Sequence, residues 1–513
     1  MENPLGEKNK SVPVRARAAH KKLRTGCRTC KARHIKCDEA KPACVRCTST
    51  GRGCDGYEAK ARHSWTATTV VPPALITTIP SQETESNPRF HYFRAVTAPE
   101  FSRFFGRSFW SRSILQASHE FAAVRHAVQA LAILHRQHKE STPFDYSGTR
   151  EYSQAMRQLI RDISKNKVKL VALLCGVLFA CIEVLQEDDP SAVKHLDGVI
   201  KLLNESTATE KPLLEERVLT DMEEEILMIV ESFDLEASIA SIPRPPQLRL
   251  RTLTTEGGLS AYNLGEPMTI ERAARELNEI MRHIYHLVRS DSKYCRRIDE
   301  TAGIPLEVVR TSQQLAESLK IWHTKNTSLR PSSETQVSDR TALVWIHYHT
   351  AVTILSGCIY AEETIYDSYL EAFREIVRLA TLVSRPSGTS SETTFISETG
   401  VMFPLYWTAI KCRDGRLRRA AIYQMSIGSR EGVWIPEIYT AVARRVVEIE
   451  ETNLRGFKDG GAFPSAGDIM ENWRIHSVGL DLYKQKREAR MVYQMLLGGL
   501  EGEWHVASEF VCY

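Results

Sequence analysis

A mostly α-helical chain with a small cysteine-built module near its N-terminus is the fold class the sequence predicts, and three observations predict it. Six of the twelve cysteines fall between residues 26 and 56, in a spacing that repeats itself. From about Phe90 onward, apolar residues recur every three to four positions, the period of one buried helix face. Charge divides at the same place. Residues 1–62 hold 16 Lys and Arg against 6 Asp and Glu, a net +10, whereas the remainder of the 513 residues carries −6. A chain this long exceeds what one core supports, so two to four domains are expected.

The stretch GCRTCKARHIKCDEAKPACVRCTSTGRGCDG sets Cys27, Cys30 and Cys37 two and then six residues apart, and Cys44, Cys47 and Cys54 follow the same rule. Its apolar side chains are few: Ala32, Ile35, Ala40, Ala43 and Val45. Burying them cannot offset an ordering cost of roughly 1.5 kcal/mol per residue, so disulfides or metal must fold the segment. The polar opening MENPLGEKNK predicts a reducing compartment, where thiols stay free. Two C-x-x-C pairs are the spacing at which neighbouring thiolates reach one tetrahedral zinc ion at about 2.3 Å. Six thiolates are too many for one ion and too few for two separate four-coordinate ions. The deficit disappears where two cysteines each bridge both metals. Such binding contributes on the order of 10–16 kcal/mol per structural zinc, enough to fold so short a segment.

This repeat, with Pro42 two residues before the fourth cysteine, resembles the fungal binuclear zinc-cluster transcription factors. The resemblance implies two zinc ions per chain, with Cys27, Cys30, Cys37, Cys44, Cys47 and Cys54 as ligands and Cys27 and Cys44 as the bridges. It also implies double-stranded DNA as partner, a nuclear location, control of RNA polymerase II transcription, and recognition of a CGG-type triplet by the first arm. That arm carries Lys31, Arg33, His34 and Lys36 without an acid, while between Cys47 and Cys54 only Arg52 is basic. Helical placement sets Arg33, His34 and Lys36 near the C-terminal end of a short helix, where cations are favoured. The family's base-reading residue is usually a lysine; His34 stands at the matching position and can donate to guanine N7 or O6. Lys31, Arg33, Lys36 and Lys41 suit phosphates, which set position and affinity rather than sequence.

Four regions are expected. Residues 1–24 form a basic arm with Arg15, Arg17, Lys21, Lys22 and Arg24, fit for nuclear import or phosphate contact. Residues 25–56 are the zinc cluster. Residues 57–89, rich in Thr, Ser and Pro, read as a linker whose ends lie roughly 30 Å apart if flexible. Pro72 and Pro73 interrupt the heptad coiled coil by which many family members pair their modules. Both a monomer on one triplet and a dimer assembled through the body therefore stay open.

The body, residues 90–513, is expected to be all-helical. Ser118 caps a helix through Phe121, Val124, Val128, Leu131 and Leu134. A second covers 152–163, and 169–185 is apolar nearly all round, as at a bundle centre. Its apolar run over 170–182 is too short to span a bilayer, so no membrane partner is expected. A short amphipathic helix follows Pro190, and another covers 213–232 with Glu223, Glu224 and Glu225 on its wet side. Thr269 caps a stripe running from Ile270 to Val288 in three rows, wider than a two-row zipper seam, which predicts core packing over dimerisation. Further helices are expected over 306–323, 339–361, 363–384, 399–412, 433–452 and 478–499.

The stretches FHYFRAVTAPEFSRFF, FWSRSILQASHEFAAVRHAVQALAILH and CRDGRLRRAAIYQMSIGSREGVWIPEIY resemble the regulatory region of zinc-cluster factors found with secondary-metabolite gene clusters. That implies a helical regulatory domain that meets the transcription machinery or co-regulators. No G-x-S-x-G elbow, H-E-x-x-H, Walker loop or strand-attached dinucleotide pattern is present, so no enzyme is expected. His347 and His349 are two apart and face different ways on a helix. Lys411, Arg413, Arg416, Arg418 and Arg419 read as a solvated face ahead of a second nucleic-acid site, and Cys175, Cys181, Cys295, Cys358, Cys412 and Cys512 as buried thiols. The rival reading is a zinc-cluster protein acting through protein or RNA partners.

Overall fold

The computed structural model describes residues 27, 29–30, 33, 35, 37–38, 40, 43–51, 53–54, 87–140, 146–164, 169–208, 221–240, 244–250, 269–290, 304–331, 338–383, 395–396, 400–454, 463–483, 486–497 and 502–513. The chain divides into two compact units, Met1–Thr78 and Ile79–Tyr513. The first contains one short helix, α1 (Val45–Thr48), among its described residues. The basic arm and most of the expected linker lie outside the described residues.

In the second unit, Asn87 caps α2 (Pro88–Tyr92) by accepting the Arg89 N–H at 3.0 Å, and a π turn over Phe93–Thr97 carries the chain into α3 (Ala98–Phe101). There follow α4 (Ile114–Glu120), α5 (Ala122–Glu140), α6 (Ser147–Ser164), α7 (Lys169–Leu185), α8 (Asp189–Ala208) and α9 (Asp221–Ala240). Their apolar faces close one core around α7, whose Val171, Leu174, Leu178 and Ile182 are inaccessible to solvent. Gly176 allows α8 to cross closely: a Cβ there would lie 2.3 Å from Val199 Cγ2. A second core gathers α10 (Ile270–Ser290), α11 (Leu306–Asn326), α12 (Asp339–Gly357), α13 (Leu370–Leu382), α14 (Met402–Lys411), α15 (Gly415–Ser426) and α16 (Pro436–Glu451). Helix α9 serves both, with Ile226, Ile229 and Val230 in the first and Leu235 and Ile239 in the second. No described helix is long and apolar enough to cross a membrane.

The mostly α fold is thus present, and Thr269 caps α10 as expected, its Oγ1 accepting the Arg272 N–H at 3.2 Å. Ala273, Leu277, Ile280, Met281, Ile284 and Leu287 pack into the chain's own second core. Three local expectations fail. Ser118 lies inside α4, donating to the Leu115 carbonyl at 2.7 Å, and the break before α5 falls at Phe121. Glu225 is buried rather than wet, because Ser108, Ser113 and Arg112 all donate to its carboxylate. Helix α15 was not anticipated.

The largest departure is at the C-terminus. Where a helix was expected over 478–499, the described residues form strands: β3 (Ile475–Tyr483), β4 (Glu488–Leu497) and β5 (Glu503–Cys512) make an antiparallel sheet in that order. A two-residue parallel pair, β1 (Phe395–Ile396) with β2 (Arg430–Glu431), precedes it. Strand β4 is rich in Ala, Met, Gln and Leu, good helix formers, but Ala489 and Met491 are fully buried while Arg490 between them is exposed. Half-burial against a neighbouring layer, with ladders on both sides, overrides weak helix propensity.

The basic group after α14 is neither a solvated face nor a nucleic-acid site. Lys411 and Arg413 hold the two oxygens of Glu363 at 2.5 and 2.8 Å. Arg413 and Arg418 hold those of Glu450 at 2.8 and 2.7 Å, and Arg419 reaches Glu451 at 2.5 Å. Only Arg416 of the five is exposed. The ladder also ties in the sheet: Ile475 N–H donates to Glu450 at 2.7 Å, and Lys411 to the His476 carbonyl at 2.8 Å. Burial pushes the Glu450 carboxyl up, but Arg413 and Arg418 outweigh it and hold it at about 2. Its contribution to stability is therefore complete above the ordinary carboxylate value of 4.5 and is lost as pH falls toward about 2. Urea unfolding of the full chain should show the body weakening through that interval. Glu450→Gln should cost about 3–5 kcal/mol at neutral pH, since it leaves two buried guanidinium groups under-compensated.

Candidate metal centre and nucleic-acid interface

The two cysteine arms repeat in structure as they do in sequence. Cys30 N–H donates to Cys27 Sγ at 3.4 Å, and Cys47 N–H to Cys44 Sγ at 3.3 Å. Cys27 N–H donates to Cys37 Sγ and Cys44 N–H to Cys54 Sγ, both at 3.5 Å. In the first arm a helical turn at Thr29 and Cys30 ends with the Ile35 N–H on the Cys30 carbonyl at 3.1 Å, the wide bond of a helix C-terminus. In the second, Cys44 precedes α1 and takes its early N–H groups.

Four sulfurs converge at the middle. Sγ separations are 3.6 Å for Cys27–Cys44, 3.7 Å for Cys30–Cys44, and 3.8 Å for both Cys27–Cys47 and Cys30–Cys47. A tetrahedral zinc with bonds of about 2.3 Å has sulfur–sulfur edges of about 3.8 Å, so the donor set fits the metal. Two four-sulfur groups have all their ligand atoms within 4.8 Å of one another: Cys27, Cys30, Cys37 and Cys44, and Cys27, Cys44, Cys47 and Cys54. They share Cys27 and Cys44. Burial pushes the Cys27, Cys30 and Cys44 thiols up, so a metal entering here must displace their protons.

Asp38 is a structural residue that the sequence reading missed. Its Oδ1 accepts from Ala40 and Val45 N–H at 3.1 and 3.3 Å, and its Oδ2 from Arg46 N–H at 2.9 Å. It thereby fastens the loop between the arms to the first N–H groups of α1, and the Ala40 N–H bond leads in holding its carboxyl below the ordinary value. The signal was an Asp followed two residues on by a backbone donor, the pattern of an Asx turn. Of the residues expected to face DNA, Arg33 is described; its N–H donates to the Thr29 carbonyl at 3.2 Å, and its Nη1 has no hydrogen bond among the described residues. Lys31, His34, Lys36 and Lys41 lie outside the described residues.

Elsewhere the body assembles no rival centre among the described residues. His347 Nε2 meets the Gly400 carbonyl at 3.0 Å, whereas His349 packs beside Trp345 and Tyr348, burial holding its imidazole down at about 4. Cys175, Cys181, Cys358 and Cys412 are buried as expected, Cys512 is exposed, and Cys295 lies outside the described residues.

A six-sulfur module followed in sequence by a large helical body defines the class: a zinc-cluster transcription regulator. Residues 25–64 match the fungal Zn(2)-Cys(6) binuclear cluster domain, and residues 88–426 the fungal specific transcription factor domain. The chain belongs to the fungal Zn(2)-Cys(6) transcription factors and resembles their secondary-metabolite regulators. It is 25% identical over 339 residues to the aspercryptin biosynthesis cluster-specific transcription regulator atnN of Emericella nidulans, covering 58% of this chain and 53% of that protein. With transcription regulator lscL of Purpureocillium lilacinum it shares 27% over 330 residues, 56% of this chain and 76% of the other. The transcriptional regulatory protein moc3 of Schizosaccharomyces pombe is 42% identical over 73 residues, 14% of each chain. The chain thus spans about half the length of the first of these relatives and about three quarters of the second. No solved structure matches.

Asp38→Ala removes three hydrogen bonds from the loop without touching a sulfur. The full chain should keep its metal content but surrender zinc to a chromogenic chelator several-fold faster, and a stopped-flow chelator assay measures this.

Proposed function

We propose that the chain is a sequence-specific DNA-binding regulator of RNA polymerase II transcription whose N-terminal cluster holds two zinc ions. Cys27, Cys30, Cys37 and Cys44 would hold one, and Cys27, Cys44, Cys47 and Cys54 the other. The observation that carries this reading is the pair of four-sulfur groups sharing Cys27 and Cys44. One further distance favours a second reading. Cys30 and Cys47, which would belong to different ions, are themselves 3.8 Å apart, which suits a single ion held by the sulfurs of the two C-x-x-C pairs.

Zinc content separates the two. With shared bridges, the purified full chain carries two zincs, Cys27→Ser and Cys44→Ser each lose both, and Cys37→Ser keeps one. A single ion gives one zinc per chain and leaves Cys37→Ser unchanged. Elemental analysis of the four proteins decides.

In this reading the division is a basic arm over 1–24, the cluster over 25–56, a linker over 57–89 and a regulatory body over 90–513. Lys31, Arg33, Lys36 and Lys41 contact phosphates, and His34 reads the base edge of a CGG-type triplet. The chain works in the nucleus, by regulation rather than catalysis, and the body recruits co-regulators or transcription machinery. Likeness to a cluster-specific regulator of aspercryptin biosynthesis supports control of a secondary-metabolite gene cluster. Packing of the α10 stripe into the chain's own core removes one dimerisation surface and favours a monomer on DNA.

DNA competition tests the interface. His34→Ala should lower preference for CGG-containing over scrambled duplexes by about 1–3 kcal/mol while leaving nonspecific binding nearly unchanged. A uniform loss across both duplexes makes it a phosphate contact. Affinity should fall with salt at a log–log slope of about −0.9 per phosphate neutralised; a protein acting through protein partners would show no such slope.

A further inference from the structure

Between α7, α8 and α9 on one side and α14, α16 and β3 on the other, the body encloses a cavity of about 770 Å³. Sites for drug-sized ligands span about 300–1,000 Å³. One wall is aromatic, formed by Phe403, Tyr406, Trp407, Trp434 and Tyr439. Trp434 stands at its centre, its ring 4.4 Å from that of Tyr439, 5.2 Å from Phe403 and 6.1 Å from Tyr406.

A tight turn puts Trp434 there. Glu431 and Trp434 exchange backbone hydrogen bonds at 3.2 and 2.7 Å around Gly432, whose φ is +52°. A side chain at Gly432 is doubly excluded, since a Cβ would also lie 2.3 Å from Glu236 Oε1. The Trp434 side chain is only 4% exposed and its indole Nε1 is itself inaccessible, so the cavity meets Trp434 through other atoms of the residue.

The rest of the lining sets charge and polarity. Residues 475–482 of β3 all border the cavity, so it meets the outer edge of the sheet as well as a face, and strand edges present backbone donors and acceptors. Glu187, Asp189, Glu236 and Asp481 line it beside Arg289 and Lys411, Glu187 paired with Arg430 and Asp481 with Arg490. Both lining cations are engaged as well, Arg289 by the Ser238 and Ile239 carbonyls and Lys411 by Glu363. An anion would find neither cation available to pair with it. Neutral rings stack on aromatic walls, and cations are drawn to their faces.

We propose that this cavity binds a small aromatic molecule, uncharged or cationic, that packs on the aromatic wall around Trp434. The cavity sits where the two apolar cores of the body meet, so its occupant contacts elements of both.

The test uses the full-length, zinc-loaded chain. Nile red, an uncharged aromatic dye, should bind saturably at one per chain and quench tryptophan fluorescence. The aromatic anion 8-anilino-1-naphthalenesulfonate should bind at least tenfold more weakly. Val193 lines the cavity, is half-buried and belongs to neither apolar core, so Val193→Trp should fill the space and weaken Nile red at least tenfold. Trp434→Leu removes the ring at the centre of the aromatic wall, and should weaken it three- to tenfold. It carries the test by itself if Val193→Trp does not fold. The proposal is overturned by any of three results: no saturable Nile red binding, as when a segment of the chain itself fills the cavity; equal binding of the sulfonate; or full affinity retained in the folded variants.

Discussion

Sulfur stands where the N-terminal unit would otherwise have a core. Its wholly buried side chains, among the described residues, are Cys27, Cys30, Cys44 and Cys47, with Ile35, Cys37 and Cys54 partly buried around them. Thiols crowded to 3.6–3.8 Å gain little from one another, and thiolates so close would repel; a cation among them turns repulsion into binding. Metal binding and folding then become one event. The hydrogen bonds around the sulfurs repeat from arm to arm, so each arm brings its own prepared half of the site. Asp38 joins the halves through backbone N–H groups.

The body solves a different problem with a different device. It has ample apolar surface, but its last three helices, its terminal sheet and the segment at Glu363 must be set in register, and buried charge does this. Glu363, Arg413, Glu450 and Arg418 alternate in sign along one line, and Arg474 extends it to Asp367 at 2.8 Å. Buried pairs of this kind add little net stability over an apolar core, but they penalise any packing that separates the partners. Asp234 does similar work near the first core, accepting from Gln247 and Leu248 N–H at 3.0 and 2.9 Å and so anchoring a segment with no secondary structure. Because Lys411 and Arg413 hold the carbonyls of His476 and Ile475, the same ladder fixes the start of β3 along the cavity.

What the sequence disclosed follows from where its signals are local. A cysteine spacing is a statement about a few consecutive residues, and the arms form as the spacing implied. A helical stripe such as that of α10 is equally local, with its Thr269 cap three residues from the N–H it accepts. The terminal sheet is the opposite case: each strand of β4 and β5 finds its partners across a turn, as in Met491 opposite both Leu480 and Glu509, and Ala, Met and Leu in β4 carry a local preference for helix. The Gly-Gly pair at 498 and 499, a turn signal in sequence, was the available hint. Buried charge was invisible for a related reason. Nothing adjacent to Arg413 or Arg418 in sequence announces Glu363 or Glu450, so a run of basic residues read as surface.

That burial bears on how the chain meets a polyanion. Arg282, Arg413, Arg418 and Arg474 are each no more than 1% exposed, and their charge is spent on internal carboxylates and carbonyls. Nine Asp and Glu are buried in the body beside seven Arg and Lys among the described residues, so burial leaves its formal balance beyond residue 62 negative, close to what composition gives. Long-range attraction depends on charge that solvent and counterions can feel. A body of negative balance is a poor competitor for phosphate beside the +10 of residues 1–62. Arg282, Arg413, Arg418 and Arg474 are structural material, held inside by carboxylates and carbonyls.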